Sequence, residues 1–194
     1  MNSPHFPDST PPDAPPRVLV VYAHPEPHRS RVNRLLADAA RTVPGVLVHD
    51  LYARYPDFYI DPVHEQALVE QADLLVFLHP IRWYAMPALL KEWIDVVFAA
   101  GWAYGAGGTA LEGKGYLLAV TTGGAESAYA PTGVHGHAFA DFLPPYEQTA
   151  RLCGMDWQAP LILYGAHHVT QEELATHIAR FTARLATFTK KADT

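Results

Sequence analysis

The stretch VLVVYAHPEPHRSRVNRLLADAARTVPGVLV, residues 18 to 48, decides the architecture. Val18 to Tyr22 is a continuous apolar run without alternation, the pattern of a strand buried on both faces. After a polar loop, Val32, Leu35, Leu36, Ala39, Ala40 and Val43 recur at helical spacing along one face, and Pro44-Gly45 stops the helix they imply. Val46-Leu47-Val48 then reads as a second strand. A strand, a helix and a strand in this order make a βαβ unit, whose two strands run parallel.

The alternation continues to the end of the chain. Asp61-Pro62 opens a short helix that ends near Gln71, and Asp73 to Leu78 is a third apolar run. Pro87 sits where a first helical turn tolerates proline, and Leu89, Leu90, Trp93, Ile94, Val97 and Phe98 make a strongly apolar helix face. Tyr116 to Val120 and Leu161 to Tyr164 are the fourth and fifth strands, and Thr170-Gln171-Glu172-Glu173 is a capping box that opens a long last helix. Five apolar strands separated by helices imply an α/β fold with a doubly wound parallel sheet and helices on both faces. Ligands of such sheets bind outside the carboxyl ends of the strands.

Composition narrows the function classes. The 194 residues are 49% hydrophobic, enough for one substantial core, so residues 17–190 are expected to form a single domain. The net charge of -6, without a Lys/Arg cluster, argues against nucleic acid and anionic membrane as partners. Eleven histidines are scattered, and His167-His168 has no Cys or carboxylate set at ligand spacing, so no metal is expected. The single cysteine, Cys153, fits a reducing compartment, and Gly154 after it reads as a helix cap. No run is long and apolar enough to span a bilayer, and a cytoplasmic protein without membrane insertion is expected. Residues 1–16 hold six prolines and no signal-peptide apolar region, and are expected to form a disordered tail.

Three loops carry the chemistry. The loop after the first strand has neither a dinucleotide fingerprint nor a phosphate-loop motif; it offers a helix N-terminus, with Ser30 as cap and with His24, Arg29 and Arg31 as donors to an anion. After the third strand, two prolines bracket a turn carrying Trp83 and Tyr84, flat surfaces suited to a planar ring. After the fourth, Thr121-Thr122-Gly123-Gly124 reads either as a ligand cradle or as an ordinary strand-ending turn. Together the loops suit a ligand with a phosphate tail and a planar polar head, the shape of flavin mononucleotide, in a flavodoxin-like site.

Between about Arg17 and about Tyr164 the chain resembles the NAD(P)H:quinone oxidoreductase family of flavodoxin-like proteins, and most closely the ancillary oxidoreductases of glutathione-regulated potassium-efflux systems. The segments that carry the likeness are Tyr22-Ala23-His24-Pro25, Leu51-Tyr52 with Tyr55-Pro56-Asp57-Phe58, His79 to Tyr84, Gly101-Trp102-Ala103-Tyr104-Gly105 and Thr121 to Gly124. The resemblance implies strand order 2-1-3-4-5. It implies a flavin held by His24, by Ser30, Arg31, Val32 and Asn33, by Ile81, Arg82, Trp83 and Tyr84, and by Thr121, Thr122, Gly123 and Gly124. Tyr129 and His135 are then the catalytic pair, NAD(P)H the electron donor, and a homodimer the working form. FMN is favoured over FAD, which stays an alternative, because no adenosine-binding segment is recognisable. In Tyr129, and in the spacing from it to His135, the chain is nearer the animal quinone reductases than the ancillary group. Two functions follow: an enzyme passing two electrons from NAD(P)H to a quinone-like acceptor, or a flavin-bound subunit of a potassium-efflux transporter.

Overall fold

Val18–Tyr22 forms strand β1, with every residue buried. It runs parallel to β2 (Val46–Asp50) on one side and to β3 (Leu74–Pro80) on the other. β4 (Gly115–Thr121) continues the sheet beyond β3. The structure, a computed structural model, describes residues 17–189; the expected tail 1–16 and Lys190 lie outside the described residues.

Beyond β4 the expected fifth strand is present at Leu161–Leu163, and a two-residue strand that was not expected precedes it. β5 (Asp156–Trp157) pairs with Gly115 and Tyr116, and β6 (Leu161–Leu163) pairs with Ala119 to Thr121, so both lie along β4. Pro160 separates them and has no N–H to donate to the ladder. The order β2-β1-β3-β4-β5, with β6 also on β4, is that of the resemblance with one strand more.

Side chains alternate across the sheet and fill two cores. Leu19, Val21, Leu75, Phe77, Tyr116 and Leu118 face α4 (Ala88–Val97), which buries Leu89, Leu90, Trp93, Ile94 and Val97. Val18, Val20, Val76 and Leu117 face α1 (Val32–Arg41) and α6 (Gln171–Thr189). Each such burial contributes about 1.5–3 kcal/mol before chain entropy is counted. On α1 the buried face differs from the spacing-based expectation: Asn33, Leu36, Ala37 and Ala40 point inward while Leu35 is 38% exposed. The interior face therefore includes a polar residue, Asn33, beside Val32.

One short helix carries no helical pattern in the sequence, and another is legible there only at its glycine-capped end. α2 (Leu51–Arg54) is a single turn at the start of an aromatic loop that carries Tyr52, Tyr55, Phe58 and Tyr59, and it is held by Asp50, whose carboxylate accepts from the Ala53 N–H. After α3 (Pro62–Gln71), the helix α5 (Pro144–Leu152) ends at buried Cys153, with Gly154 at φ +66 as expected. A carboxylate ties the aromatic loop to the core: Glu65 of α3, fully buried, accepts from Tyr55 (2.5 Å), His49 (2.9 Å) and the Trp93 indole (2.7 Å). Burial alone would raise the Glu65 pKa, but these donors outweigh it and hold it low. The same burial and the neighbouring carboxylate push Tyr55 up to about 12.

Candidate functional site

The carboxyl ends of β1, β3 and β4 lie level, with Tyr22 beside Leu78 and Pro80 beside Thr121. At this edge the chain opens a cleft of about 430 Å³, within the roughly 300–1,000 Å³ of small-molecule sites. Val32 and Asn33 from the start of α1, Pro80 to Arg82 after β3, and Thr121 to Gly123 after β4 line it. His24, Glu26, Arg29 and Arg31 close one side, and Ala166 and His167 another.

Ser30 does not cap α1. Its buried hydroxyl pairs with the Tyr22 phenol at 2.9 Å, and Arg31 takes the N-cap position of α1 without a side-chain cap. The correction favours a ligand, because uncapped N–H groups carry the positive end of the helix dipole toward the cleft. Asn33 crosses the cleft floor: its Nδ2 donates to Thr121 Oγ1 at 2.8 Å, while its Oδ1 is buried without a partner among the described residues. An orphaned acceptor of this kind calls for a donor from a bound group. His24 accepts from the Glu26 N–H at 3.1 Å; its burial and the Arg82 charge lower its pKa, so it stands neutral.

In the loop after β3, Arg82 and Ala85 exchange both backbone hydrogen bonds (2.9 and 3.0 Å) around Trp83 and Tyr84. Both central residues are left-handed, at φ +49 and +64, in the manner of a type I′ turn that normally uses Asn and Gly. Such strain at two bulky residues marks functional loops. Arg82 is fixed by Glu26 at 2.9 Å. Neither aromatic ring lines the cleft itself: Trp83 is 93% exposed, and Tyr84 packs face to face on Phe142.

The loop after β4 is anchored before it opens. The Ile81 N–H donates to Thr121 O (2.8 Å), Thr122 Oγ1 donates to Gly124 O (2.7 Å), and the Gly165 N–H shares that acceptor (2.9 Å). Gly123 lines the cleft, whereas Gly124 supports the next layer: a Cβ there would stand 3.0 Å from His135 Nε2 and 3.5 Å from the Tyr129 ring. Tyr129 and His135 meet above it, rings 4.4 Å apart at 37°. Burial raises the Tyr129 pKa and a bond with Thr122 only partly offsets it, so the phenol stays protonated and can donate. His137 is exposed and pairs with Asp141 at 3.5 Å.

Ten of the residues expected around a ligand thus converge: His24, Arg31, Val32, Asn33, Ile81, Arg82 and Thr121 to Gly123 line the cleft, and Gly124 adjoins it. Sequence reading missed Glu26, Ala166 and His167 as lining residues; His167 had been considered only for metal binding. Among the described residues no group of three or more His, Cys, Asp and Glu could hold a metal, and no helix is long and apolar enough to cross a membrane. The helix N-terminus, Arg31 and the orphaned Asn33 oxygen fit the phosphate and ribityl end of a flavin, and the hydroxyls and glycines of 121–124 fit its polar head.

A family model described as a flavodoxin-like fold matches residues 16–185. The glutathione-regulated potassium-efflux system ancillary protein KefG of Cronobacter sakazakii is 50% identical over 161 residues, 83% of this chain and 88% of that protein. Its counterpart in Pectobacterium carotovorum is 45% identical over 172 residues, 89% of this chain and 94% of its own. Among solved structures, general stress protein 14 of Treponema denticola, in complex with FMN, is 37% identical with a TM-score of 0.83, over 89% of this chain and 99% of that one. An NADPH-quinone reductase from P. pentosaceus is 25% identical with a TM-score of 0.80, over 87% and 97%.

Proposed function

Given that the chain belongs to the flavodoxin-like family that includes the KefG ancillary proteins, we propose that it is an FMN-dependent NAD(P)H:quinone oxidoreductase. The observation that carries this reading is Tyr129 and His135, in ring contact on Gly124, beside a cleft built from three strand ends. When bound, the flavin supplies two-electron hydride chemistry, with donor and acceptor taking turns in a ping-pong cycle. The chain's own residues bind and orient. The uncapped start of α1 and Arg31 hold the phosphate, Asn33 and Thr121 fix the floor, and Thr122 and Gly123 present main chain and hydroxyl to the ring. Tyr129 donates a hydrogen bond where negative charge develops, and His135 holds or gives the proton that accompanies it.

Exposed apolar side chains support a homodimer. The segment Trp102 to Tyr104 contributes little to such a surface, because Ala103 is buried and the Trp102 indole donates to Glu70. What remains exposed is Phe58, Tyr59 and Val63 around the start of α3, a patch of the kind that marks interfaces.

The KefG relatives, at 45–50% identity, support a second reading in which the flavin-loaded chain serves a potassium-efflux transporter. Steady-state oxidation of NADPH with a simple benzoquinone tests the enzyme. Rapid turnover is the expected result; negligible turnover by flavin-loaded protein that co-purifies with a transporter would favour the ancillary role.

A further inference from the structure

We propose that Tyr84 is a positioning residue that sets the tautomer of His135. The inference rests on the reading of His135 given above and extends it. Tyr84 comes from the loop after β3 and His135 from the loop after β4, and the phenol oxygen of the first lies 3.4 Å from Nδ1 of the second. Their rings meet edge to face, 5.6 Å apart at 82°, and Tyr84 stacks on Phe142 at 5.1 Å and 24°. The phenol is thus aimed by packing against both rings. Its main chain is held at φ +64 by the two Arg82–Ala85 hydrogen bonds, a conformation a bulky residue adopts only when its surroundings dictate it.

His135 has other fixed contacts as well. Its backbone N–H donates to Ala128 O at 3.1 Å, Tyr129 lies against the ring, and Nε2 faces the bare Gly124. Only Nδ1 therefore faces Tyr84. An unprotonated imidazole nitrogen is a much better acceptor than a phenol oxygen, so the phenol donates to Nδ1 and the neutral ring keeps its hydrogen on Nε2. That hydrogen points toward Gly124, on the cleft side. When the ring takes a second proton, Nδ1 becomes a donor and the same phenol turns to accept it. Hydrogen bonds at unliganded active sites are often long, and this 3.4 Å contact is expected to shorten when the site fills.

The test is 15N NMR of histidine-labelled, flavin-loaded protein at a pH where the ring is neutral, with the His135→Gln variant identifying the signal. In the wild type His135 should stand almost wholly as the Nε2–H tautomer. In Tyr84→Phe, which keeps both ring contacts, the tautomer ratio should fall several-fold toward that of a free histidine side chain. An unchanged ratio, or a wild-type ring carrying its hydrogen on Nδ1, overturns the proposal. A kinetic arm separates this claim from the catalytic one. Tyr84→Phe should slow flavin reduction by roughly threefold to thirtyfold with flavin content unchanged, and should add nothing in a His135→Gln background. A tautomer shift with wild-type reduction rates would leave the pairing standing and remove His135 from catalysis. If Tyr84→Phe fails to fold, the wild-type tautomer alone decides.

Discussion

Asn33 and Thr121, eighty-eight residues apart in sequence, join the start of α1 to the end of β4 through one buried hydrogen bond of 2.8 Å. The bond crosses the floor of the cleft, so fold and site share it. Replacing either partner, as Asn33→Ala or Thr121→Val, should cost about 1–3 kcal/mol in urea unfolding. The double variant should lose less than the sum, by about 1 kcal/mol. Both singles should also retain less flavin on dialysis. Strict additivity would mean that the two side chains do not act together.

Trp83 should gain from glycine. At φ +49 and 93% exposed, its side chain contributes strain and little packing. Trp83→Gly should be about 1 kcal/mol more stable than Trp83→Ala, which keeps the strained backbone. Equal denaturation midpoints would show that the turn is relaxed.

His79 should make the protein sensitive to acid. Fully buried beneath the β3 loop and stacked on Tyr146, it is pushed down to about 4 by desolvation. The unfolded chain takes a proton near pH 6.5 and the folded chain does not. Stability is therefore complete above about pH 6.5 and falls as pH drops toward 4, by about 2 kcal/mol at pH 5. His79→Phe should match the wild type at pH 7 and exceed it by about that amount at pH 5, measured by urea midpoint. His24 and His177, also lowered by burial, remain in both proteins and cancel in the comparison.

Tyr129→Phe and His135→Gln should keep fold and flavin while slowing flavin reduction by NADPH in stopped flow. A loss of roughly tenfold to a few hundredfold, about 1.4–3.5 kcal/mol, matches removal of one preorganised donor. Wild-type rates in both would reduce the loop to a scaffold.

The sheet was legible because β1, β3 and β4 are buried on both faces, and burial writes itself as uninterrupted apolar runs. The short edge strand at Asp156–Trp157 was not, since two residues, one of them charged, make no apolar run. The cleft's three loops were readable from their position after those strands. What side chains do within them was less so. Ser30 has the composition of a cap yet turns to Tyr22, because a buried phenol needs a partner. Tyr84 looks like a stacking platform, but its left-handed backbone directs it to His135. Glu65 gave no signal, since a lone carboxylate on a helix reads as solvated until Tyr55, His49 and Trp93 converge on it.

Titration of flavin-stripped protein with FMN, followed by flavin fluorescence, tests the central claim most directly. The cleft should bind about one FMN per chain at micromolar concentration or tighter, and anaerobic NADPH should then bleach the bound flavin's visible absorbance. Folded protein that takes up no FMN would contradict the account at its root.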